Sequence, residues 1–354
     1  MQTSPLSSAD RQGPPLVGIA AFVVVVIGLY LAAGIVTMLL LSVLVAILVA
    51  PINTWARRRG WPGWVGLVLA LATYVGVLVI VGLITAIGIF RLLDELPTDT
   101  TELQTQLGIN LGDPQVAATI AEGFGSVAAS IARSVLGALA VVGYSVIIVA
   151  YLLLEQPTIG ARLRWAFGDR PAVTNRAAGL AIRLRSYLIA RAVLGGIAAI
   201  LDTIVLVALG VPSALLWGVL SFLMSFVPNV GFIISMIPPT LLGLVVGGLP
   251  TAILVVVAYS VINVTIDYLV QPRFIGSAVD LSPVVVTVSL LFWALILGGA
   301  GAIFAVPLTI IVVGVADSFD GTRPLSRMLA ANVPALLDEA TTKADAAAAA
   351  ASPD

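Results

Sequence analysis

The chain has 354 residues, of which 60% are hydrophobic and only 10% are charged, and its formal net charge is −1. Soluble domains carry about a quarter charged residues, so this composition excludes a soluble globular protein and predicts an integral membrane protein. The sequence contains neither Cys nor His, which removes disulfides, thiol chemistry and the commonest metal ligand and general base. We therefore expect no enzyme activity, no metal and no other cofactor.

Polar sequence flanks the apolar region on both sides. The opening stretch, "MQTSPLSSADRQGPP", is followed by an apolar run far longer than the 7–15 residues of a signal peptide, so we expect it to be an uncleaved tail. The end, "KADAAAAAASPD", is of low complexity. We expect the first tail to be disordered, and the second to be disordered or a fraying helix.

Eight apolar segments lie between the two tails, most of them near or above the roughly 20 residues that a membrane-spanning helix needs. None alternates with a period of two, and an open sheet cannot cross lipid, so the predicted fold class is all-α. The segments are 16–33, 35–52, 64–90, 134–154, 188–209, 212–248, 251–270 and 283–316.

The charges between these segments predict the orientation in the membrane. Three arginines at 57–59 follow the second segment, seven more lie within 162–191, and the intervening region 93–125 is acidic without Lys or Arg. Basic residues concentrate on the cytoplasmic side. Because two spans separate the basic clusters, both face the cytoplasm, and both termini come out cytoplasmic. The seven arginines are Arg162, Arg164, Arg170, Arg176, Arg183, Arg185 and Arg191.

These signals divide the chain into consecutive regions. The Arg-rich region is expected to lie amphipathically along the inner leaflet or to serve as a gate in transport. The regions are a cytoplasmic tail (1–15), three membrane helices (16–92), an acidic extracytoplasmic helical segment (93–133), a membrane helix (134–155), the Arg-rich cytoplasmic segment (156–187), a transport core (188–316) and an Ala-rich cytoplasmic tail (317–354).

Two long apolar segments, 212–248 and 283–316, are interrupted near their centres. The interruptions are "SFVPNVG" and "LGGAGAIFAVP", and both Pro and Gly weaken a helix. Paired broken segments are typical of an inverted-repeat transporter. They predict opposed re-entrant hairpins, with paired short spans as the alternative. The residues assigned to these turns are Pro228, Asn229, Gly231, Gly298, Gly299, Gly301 and Pro307.

The stretch "NVTIDYLVQPRFIG" places polar residues in an otherwise apolar chain. Asn263, Asp267 and Gln271 are spaced four apart, so they lie on one helix face. A charge inside the bilayer costs about 2.5–3.5 kcal/mol, so Asp267 needs a partner or water. The stripe predicts a transport path in which Asp267 accepts a proton or cation. The structural alternative is an Asp267–Arg273 pair near the inner interface.

Two further polar residues are candidates for the path. Asp202 lies in the middle of segment 188–209, at the same relative place as Asp267 in its own helix, and two nearby acids would suit ion coupling. Asn229 could offer an amide to a polar substrate, or it could simply form a turn. Pro272, Arg273 and Gly276 are expected to form the turn that follows the stripe.

The motifs of the second half resemble those of the autoinducer-2 exporter family of bacterial transporters. They are Pro-Asn-x-Gly from Pro228, Pro-Arg-x-x-Gly from Pro272, Leu-Ser-Pro from Leu281, and Gly-x-x-Gly-x-x-x-x-x-Pro from Gly298. "PINTW" at Pro51 is similar to the family's first-hairpin exit, and related members often carry Glu at the position of Asp267.

The resemblance implies a multispanning permease of the bacterial inner membrane. Family members are credited with exporting a signalling furanone and with sodium–proton antiport, so the family leaves the substrate open. The expected partners are the lipid bilayer and a small solute or cation such as a proton or sodium, without nucleic acid. A homo-oligomer is compatible with the family. A channel or a non-transporting scaffold remains the alternative class, since broken helices also build ion filters.

Overall fold

The computed structural model describes most of the apolar part of the chain. Much of the acidic segment 93–133, the C-terminal tail and Gly276 lie outside the described residues. Within the part that is described, all regular secondary structure is helical. The described residues are 15–95, 143–162, 164–165, 171–275 and 281–317, with the single residues 123, 126, 137 and 329.

Among the described residues, six helical stretches are long and apolar enough to cross a membrane, and two shorter apolar helices accompany them. The predicted all-α membrane fold is therefore confirmed, while the number of crossings stays a prediction. The helices are α1 (Pro15–Leu31), α2 (Ala33–Arg58), α3 (Gly63–Glu95), α4 (Gly143–Arg162), α5 (Pro171–Ala208), α6 (Ala214–Met224), α7 (Gly231–Val264), a π-helix (Thr265–Val270), α8 (Gln271–Ile275) and α9 (Pro283–Ala316).

The first interrupted segment folds back on itself as a helical hairpin. α6 ends at Met224, residues 225–230 form a turn, and α7 begins at Gly231. Leu216 and Leu242, on opposite arms, belong to one buried cluster, so the two arms pack side by side. Asn229 adopts the left-handed conformation at φ 62°, which Asn tolerates better than most residues. We call residues 214–247 the first hairpin.

A second reversal occurs inside α9, which is folded in two at Gly298. This glycine has φ 68° and ψ −150°, a conformation that is essentially restricted to glycine. Trp293 Nε1 donates a hydrogen bond of 3.2 Å to Thr309 Oγ1, although sixteen residues of straight helix would separate them by about 24 Å. We call residues 283–316 the second hairpin.

The break in the second hairpin is narrower than the sequence predicted. Gly299, Gly301 and Pro307 all lie within helix, and only Gly298 leaves it. Gly301 is instead a packing residue, because a Cβ atom there would overlap the backbone carbonyl of Trp293 on the other arm. One residue suffices for the reversal because a single left-handed glycine redirects the whole chain.

α7 contains a similar reversal at Gly248, with φ 66° and ψ −167°, at the boundary between the predicted apolar segments 212–248 and 251–270. The helix then continues to Val264 and widens into the π-helix. Pro272 and Arg273 follow within the short helix α8 rather than in a turn. Gln271 N–H still donates to the carbonyl of Ile266, and Pro272 then ends this pattern because it has no backbone N–H.

The turn of the first hairpin packs against the second hairpin and against α5. Val227 joins a buried cluster that otherwise belongs to the second hairpin, including Leu297 beside Gly298. A Cβ atom on Gly195 of α5 would run into the hydroxyl of Ser225, so α5 passes very close to the same turn. This arrangement brings α5, the turn of the first hairpin and the π-helix together around the polar residues.

Candidate functional site

Asp202 lies on α5 with its side chain fully buried, at 0% exposure. Ser221 of α6 donates its hydroxyl to Asp202 Oδ2 at 2.6 Å. Asn263 of α7 donates its amide to the same oxygen at 3.3 Å, and also to the carbonyl of Tyr259 at 2.9 Å. The carboxyl group is therefore held by neutral donors from two other helices.

No Lys or Arg among the described residues forms an ion pair with Asp202, in contrast to Glu155, which pairs with Arg162, and Asp267, which pairs with Arg191. Tyr259 belongs to the same buried neighbourhood, and its hydroxyl has no hydrogen-bond partner in the described part of the chain. Burying an unpaired carboxylate costs several kcal/mol, so Asp202 is an energetically expensive residue in this position.

Arg191 forms a second polar cluster on the same helix. Its Nη1 donates to Asp267 Oδ1 at 2.8 Å and also to Gln271 Oε1. The Arg191 side chain is only 6% exposed, whereas that of Asp267 is 25% exposed. The Asp267–Arg273 pair, which was the structural alternative to a transport path, does not form. Arg273 lies six residues further along the helix, so its side chain points to another face, where it is exposed.

The predicted polar stripe is divided between the two clusters. Asn263 donates a hydrogen bond to Asp202, while Asp267 and Gln271 accept hydrogen bonds from Arg191. On a regular α-helix, residues four apart drift by about 40° around the axis. The wider turn of the π-helix between Thr265 and Val270 rotates each residue less, which keeps Asp267 and Gln271 aimed at the same guanidinium.

The two acids do not pair with each other. Arg191 and Asp202 are eleven residues apart on α5, about 16 Å along the helix axis, and each carboxylate has its own partners. Asn263 is the residue that connects the two clusters, since it bonds to Asp202 and also lines the space beside Asp267. The contacts of the described residues therefore include no direct interaction between Asp202 and Asp267.

A small cavity of about 10 Å³ lies between the two clusters, with room for about one water molecule. Asp267 and Asn263 line one side of it, and Arg191 lines another. The turn of the first hairpin closes it through Ser225 and Val227. Polar groups from α5 and from the stripe thus converge beside the turn of the first hairpin and the π-helix.

Asn229, the remaining residue predicted for the transport path, and the residues predicted for the hairpin turns lie elsewhere. Asn229 and Gly298 are exposed at the turns of their hairpins, and Pro228 is partly buried beside Asn229. Gly231 is buried, and it packs so closely on the carbonyl of Met224 that a Cβ atom there would overlap it. These residues shape the hairpins, while Ser225, Val227 and Phe232 are the first-hairpin residues that reach the cavity.

A comparison with protein families gives a match to the AI-2E family transporters over residues 19–320. The match covers both hairpins, the π-helix and both polar clusters. The chain belongs to the AI-2E transporter family. Membership confirms the resemblance drawn from the motifs of the second half, and it makes the chain a transporter-family membrane protein.

Curated relatives of this AI-2E family member carry transport names. The putative transport protein YhhT of Escherichia coli K12 is 29% identical over 315 residues, covering 83% of this chain and 87% of the relative. A putative transport protein of Haemophilus influenzae is 31% identical, covering 83% and 89%. The AI-2 transport protein TqsA of Escherichia coli K12 is 35% identical over 165 residues, covering 46% and 48%.

Sequence reasoning missed two residues of the site. Arg191 was counted only as one of seven arginines in a basic belt, although it already stands inside an apolar segment. Arg within such a segment is rare and faces the protein interior, which was the available signal. Ser221 offered no signal, because a lone Ser in an apolar helix is common and only the packing of α6 on α5 brings it to Asp202.

Proposed function

We propose that this AI-2E family member is a secondary transporter that moves a small polar solute or ion across the bacterial inner membrane, driven by a proton or sodium gradient. The observation that supports this is the burial of Asp202 among neutral donors. A carboxylate in this setting needs a bound proton or cation to offset its charge. Reversible loading of that charge is what a gradient-driven carrier requires.

Asp202 is a better candidate than Asp267 for the coupling acid. The charge of Asp267 is already compensated by the Arg191 guanidinium at 2.8 Å, so Asp267 needs no bound proton or cation. Asp202 has only the Ser221 hydroxyl and the Asn263 amide as described side-chain partners. Asp267 then acts as the residue that holds Arg191 in place.

Sodium–proton antiport is the alternative within the same family. The carboxylate of Asp202 and the hydroxyl of Ser221 are both oxygen groups, which hard cations prefer as ligands. A proton and a sodium ion would then compete for one site. Transport of an organic solute is favoured instead by the relative TqsA, whose name describes AI-2 transport.

A channel or a non-transporting scaffold is the alternative of another class. Broken helices also build ion filters, and this chain has breaks at Gly248 and Gly298. The cavity beside Arg191 is closed to about the size of one water, which favours a carrier that alternates between conformations over an open pore. Saturable counterflow in vesicles would separate a carrier from a channel.

The localisation and orientation are part of the same proposal. Arg57 and Arg58 end α2, and exposed arginines such as Arg183 and Arg185 stand in the first half of α5. Two helices, α3 and α4, separate these basic clusters, so the positive-inside rule puts both on the cytoplasmic face. In this orientation both termini would be cytoplasmic, and the family resemblance supports the bacterial inner membrane as the location.

The deciding experiment compares ion flux in proteoliposomes for the wild type and for Asp202→Asn, which keeps the shape of the side chain but cannot carry a proton. A pH-sensitive dye inside reports proton movement when sodium, and separately a furanone, is added outside. We expect the substitution to reduce coupled proton flux at least tenfold. Glu155→Gln is the matched control, because Glu155 is exposed and pairs with Arg162 at 3.0 Å.

The outcomes separate the candidates. Sodium-driven proton movement that is lost in Asp202→Asn supports antiport, and movement driven only by the organic solute supports solute transport. Asp267→Asn, measured beside them, is expected to weaken transport without uncoupling it from protons. Coupled flux in Asp202→Asn equal to that of the wild type would show that Asp202 is structural and would overturn the proposal.

A further inference from the structure

The guanidinium of Arg191 uses only part of its hydrogen-bonding capacity. Arg has five N–H donors, and Nη1 alone serves both Asp267 and Gln271. Nε of Arg191 is buried and has no partner among the described residues. A buried donor without a partner lowers stability, and more so on a charged group, so this Nε donor is kept unsatisfied at a price in stability.

The unsatisfied donor belongs to a side chain that lines the cavity between the two polar clusters. The cavity is bounded by Gly195 on α5, by Ser225 of the first hairpin and by Asp267. Gly195 has no side chain, and any Cβ there would meet Ser225, so the space beside Arg191 depends on that glycine. While Asp267 is paired with Arg191 the lining of the cavity carries no net charge, and it becomes cationic only when Asp267 leaves the guanidinium.

We propose that the cavity binds the carboxylate of a small organic anion through Arg191, and that the bound carboxylate takes over from Asp267 as the partner of the guanidinium. This inference rests on the proposed transport function and names the chemical class of the solute. The planar guanidinium fork matches a carboxylate through two parallel hydrogen bonds. In the structure, Asp267 occupies the place beside Arg191. When the solute is bound, its carboxylate takes that place.

Two features of Asp267 suit it to this exchange. Its side chain is 25% exposed while that of Arg191 is 6% exposed, so Asp267 can reach water when it is displaced whereas Arg191 cannot. Asp267 also stands within the π-helix, whose widened turn interrupts the regular hydrogen bonding of the helix. The acid is therefore held on a weaker stretch of backbone than the base that it neutralises.

The cavity and Asp202 would bind ligands of opposite charge. Arg191 attracts an anion, whereas Asp202 attracts a proton or a cation, and Asn263 lies between the two groups. A solute carboxylate at Arg191 and a proton at Asp202 would cross the membrane together with no net charge, which avoids the cost of moving an ion through lipid.

The test is the thermal stability of the purified full-length chain in lipid nanodiscs, with formate as the probe because it is the smallest carboxylate. Asp267→Asn removes the internal anion and leaves the buried guanidinium without a counter-charge. We expect this variant to melt at a lower temperature than the wild type and formate to restore it. The half-saturating formate concentration should be at least tenfold lower than for the wild type, because Asp267 no longer competes.

Three controls make the response specific to Arg191. The double substitution Arg191→Gln with Asp267→Asn should lose the response to formate, and formamide, the uncharged analogue, should not restore Asp267→Asn. Glu155→Gln removes an exposed ion pair and should respond to formate as the wild type does. An equal formate response in the single and double variants would overturn the proposal, because the stabilisation would not involve Arg191.

A second comparison remains informative if Asp267→Asn does not fold. The wild type and Arg191→Gln are then titrated with formate, and the stabilisation is expected in the wild type alone; its absence there would overturn the proposal. These measurements need no gradient. A missing formate response beside intact flux through Asp202 would thus reject the anion site alone, and a formate response without coupled flux would reject the transport mechanism alone.

Discussion

At the scale of single residues, buried polar side chains connect helices that apolar packing alone would leave free to slide. Asn53 of α2 is an example at 1% exposure. Its amide donates to Gln156 Oε1 at 3.2 Å and lies 3.4 Å from the carbonyl of Leu153, both on α4, and its oxygen accepts from Arg57 Nε at 3.4 Å. Asn53, the third residue of the "PINTW" motif, thus fixes α2 against α4.

Asn53→Ala is expected to lower the free energy of unfolding by about 1–3 kcal/mol, because it leaves the partners on α4 without their donor. The measurement is unfolding in mixed micelles followed by tryptophan fluorescence. Thr54→Ala is the matched control, since Thr54 bonds only within its own helix, to the carbonyl of Pro51, and should change stability by less than about 0.5 kcal/mol. Equal effects of the two substitutions would contradict a role for Asn53 between helices.

At the scale of elements, glycines decide where helices reverse and how closely their arms approach. The adjacent residues Gly298, Gly299 and Gly301 have three different roles in the second hairpin. Gly298 supplies the positive φ of the turn, Gly299 has open space around its Cα, and Gly301 is packed onto the carbonyl of Trp293. Sequence reasoning grouped the three glycines because composition does not distinguish these roles.

Gly301→Ala is therefore expected to destabilise the second hairpin by about 1–3 kcal/mol, because the added methyl group forces the arms apart. Gly299→Ala is the control at a helical position with open space, and it should be neutral or stabilising by up to about 1 kcal/mol. Thermal unfolding in nanodiscs measures both. If Gly299→Ala proved the more harmful of the two, the close contact at Gly301 would not be what holds the arms together.

At the scale of the whole molecule, the two hairpins meet near their turns. Val227 beside the turn of the first hairpin shares a buried cluster with Leu297 beside Gly298 of the second. The two hairpins are predicted to enter the membrane from opposite faces. Because their turns are in contact, we expect both turns to lie near the middle of the membrane. The alternative of paired short spans would place each turn in water.

The absence of cysteine from the sequence makes this testable with single-cysteine variants. Asn229→Cys and Ala300→Cys are expected to resist a membrane-impermeant maleimide from both sides of sealed vesicles, because both tips would lie within the membrane. Pro62→Cys, in the exposed loop between α2 and α3, should label fully from one side. Labelling of positions 229 and 300 as complete as that of position 62 would reject the re-entrant arrangement.

The sequence by itself determined the membrane class, the helical fold, the position of the first interruption and the family. Each of these depends on composition, on segment length or on local chemistry, which the chain carries without reference to its packing. The two acids Asp202 and Asp267 were also visible from sequence, because a charge in an apolar segment is costly wherever it lies.

The tertiary structure alone decided which partners those acids have. Arg191 lies 76 residues from Asp267, and Ser221 and Asn263 belong to helices other than that of Asp202. Such contacts depend on how helices cross, on a single glycine at position 248 or 298, and on the rotation that a π-helix adds between residues 265 and 270. The interruption around Gly298 was visible from sequence, but the crossing of the helices, the reversal at Gly248 and the π-helix were not, because each is an outcome of packing over the whole chain.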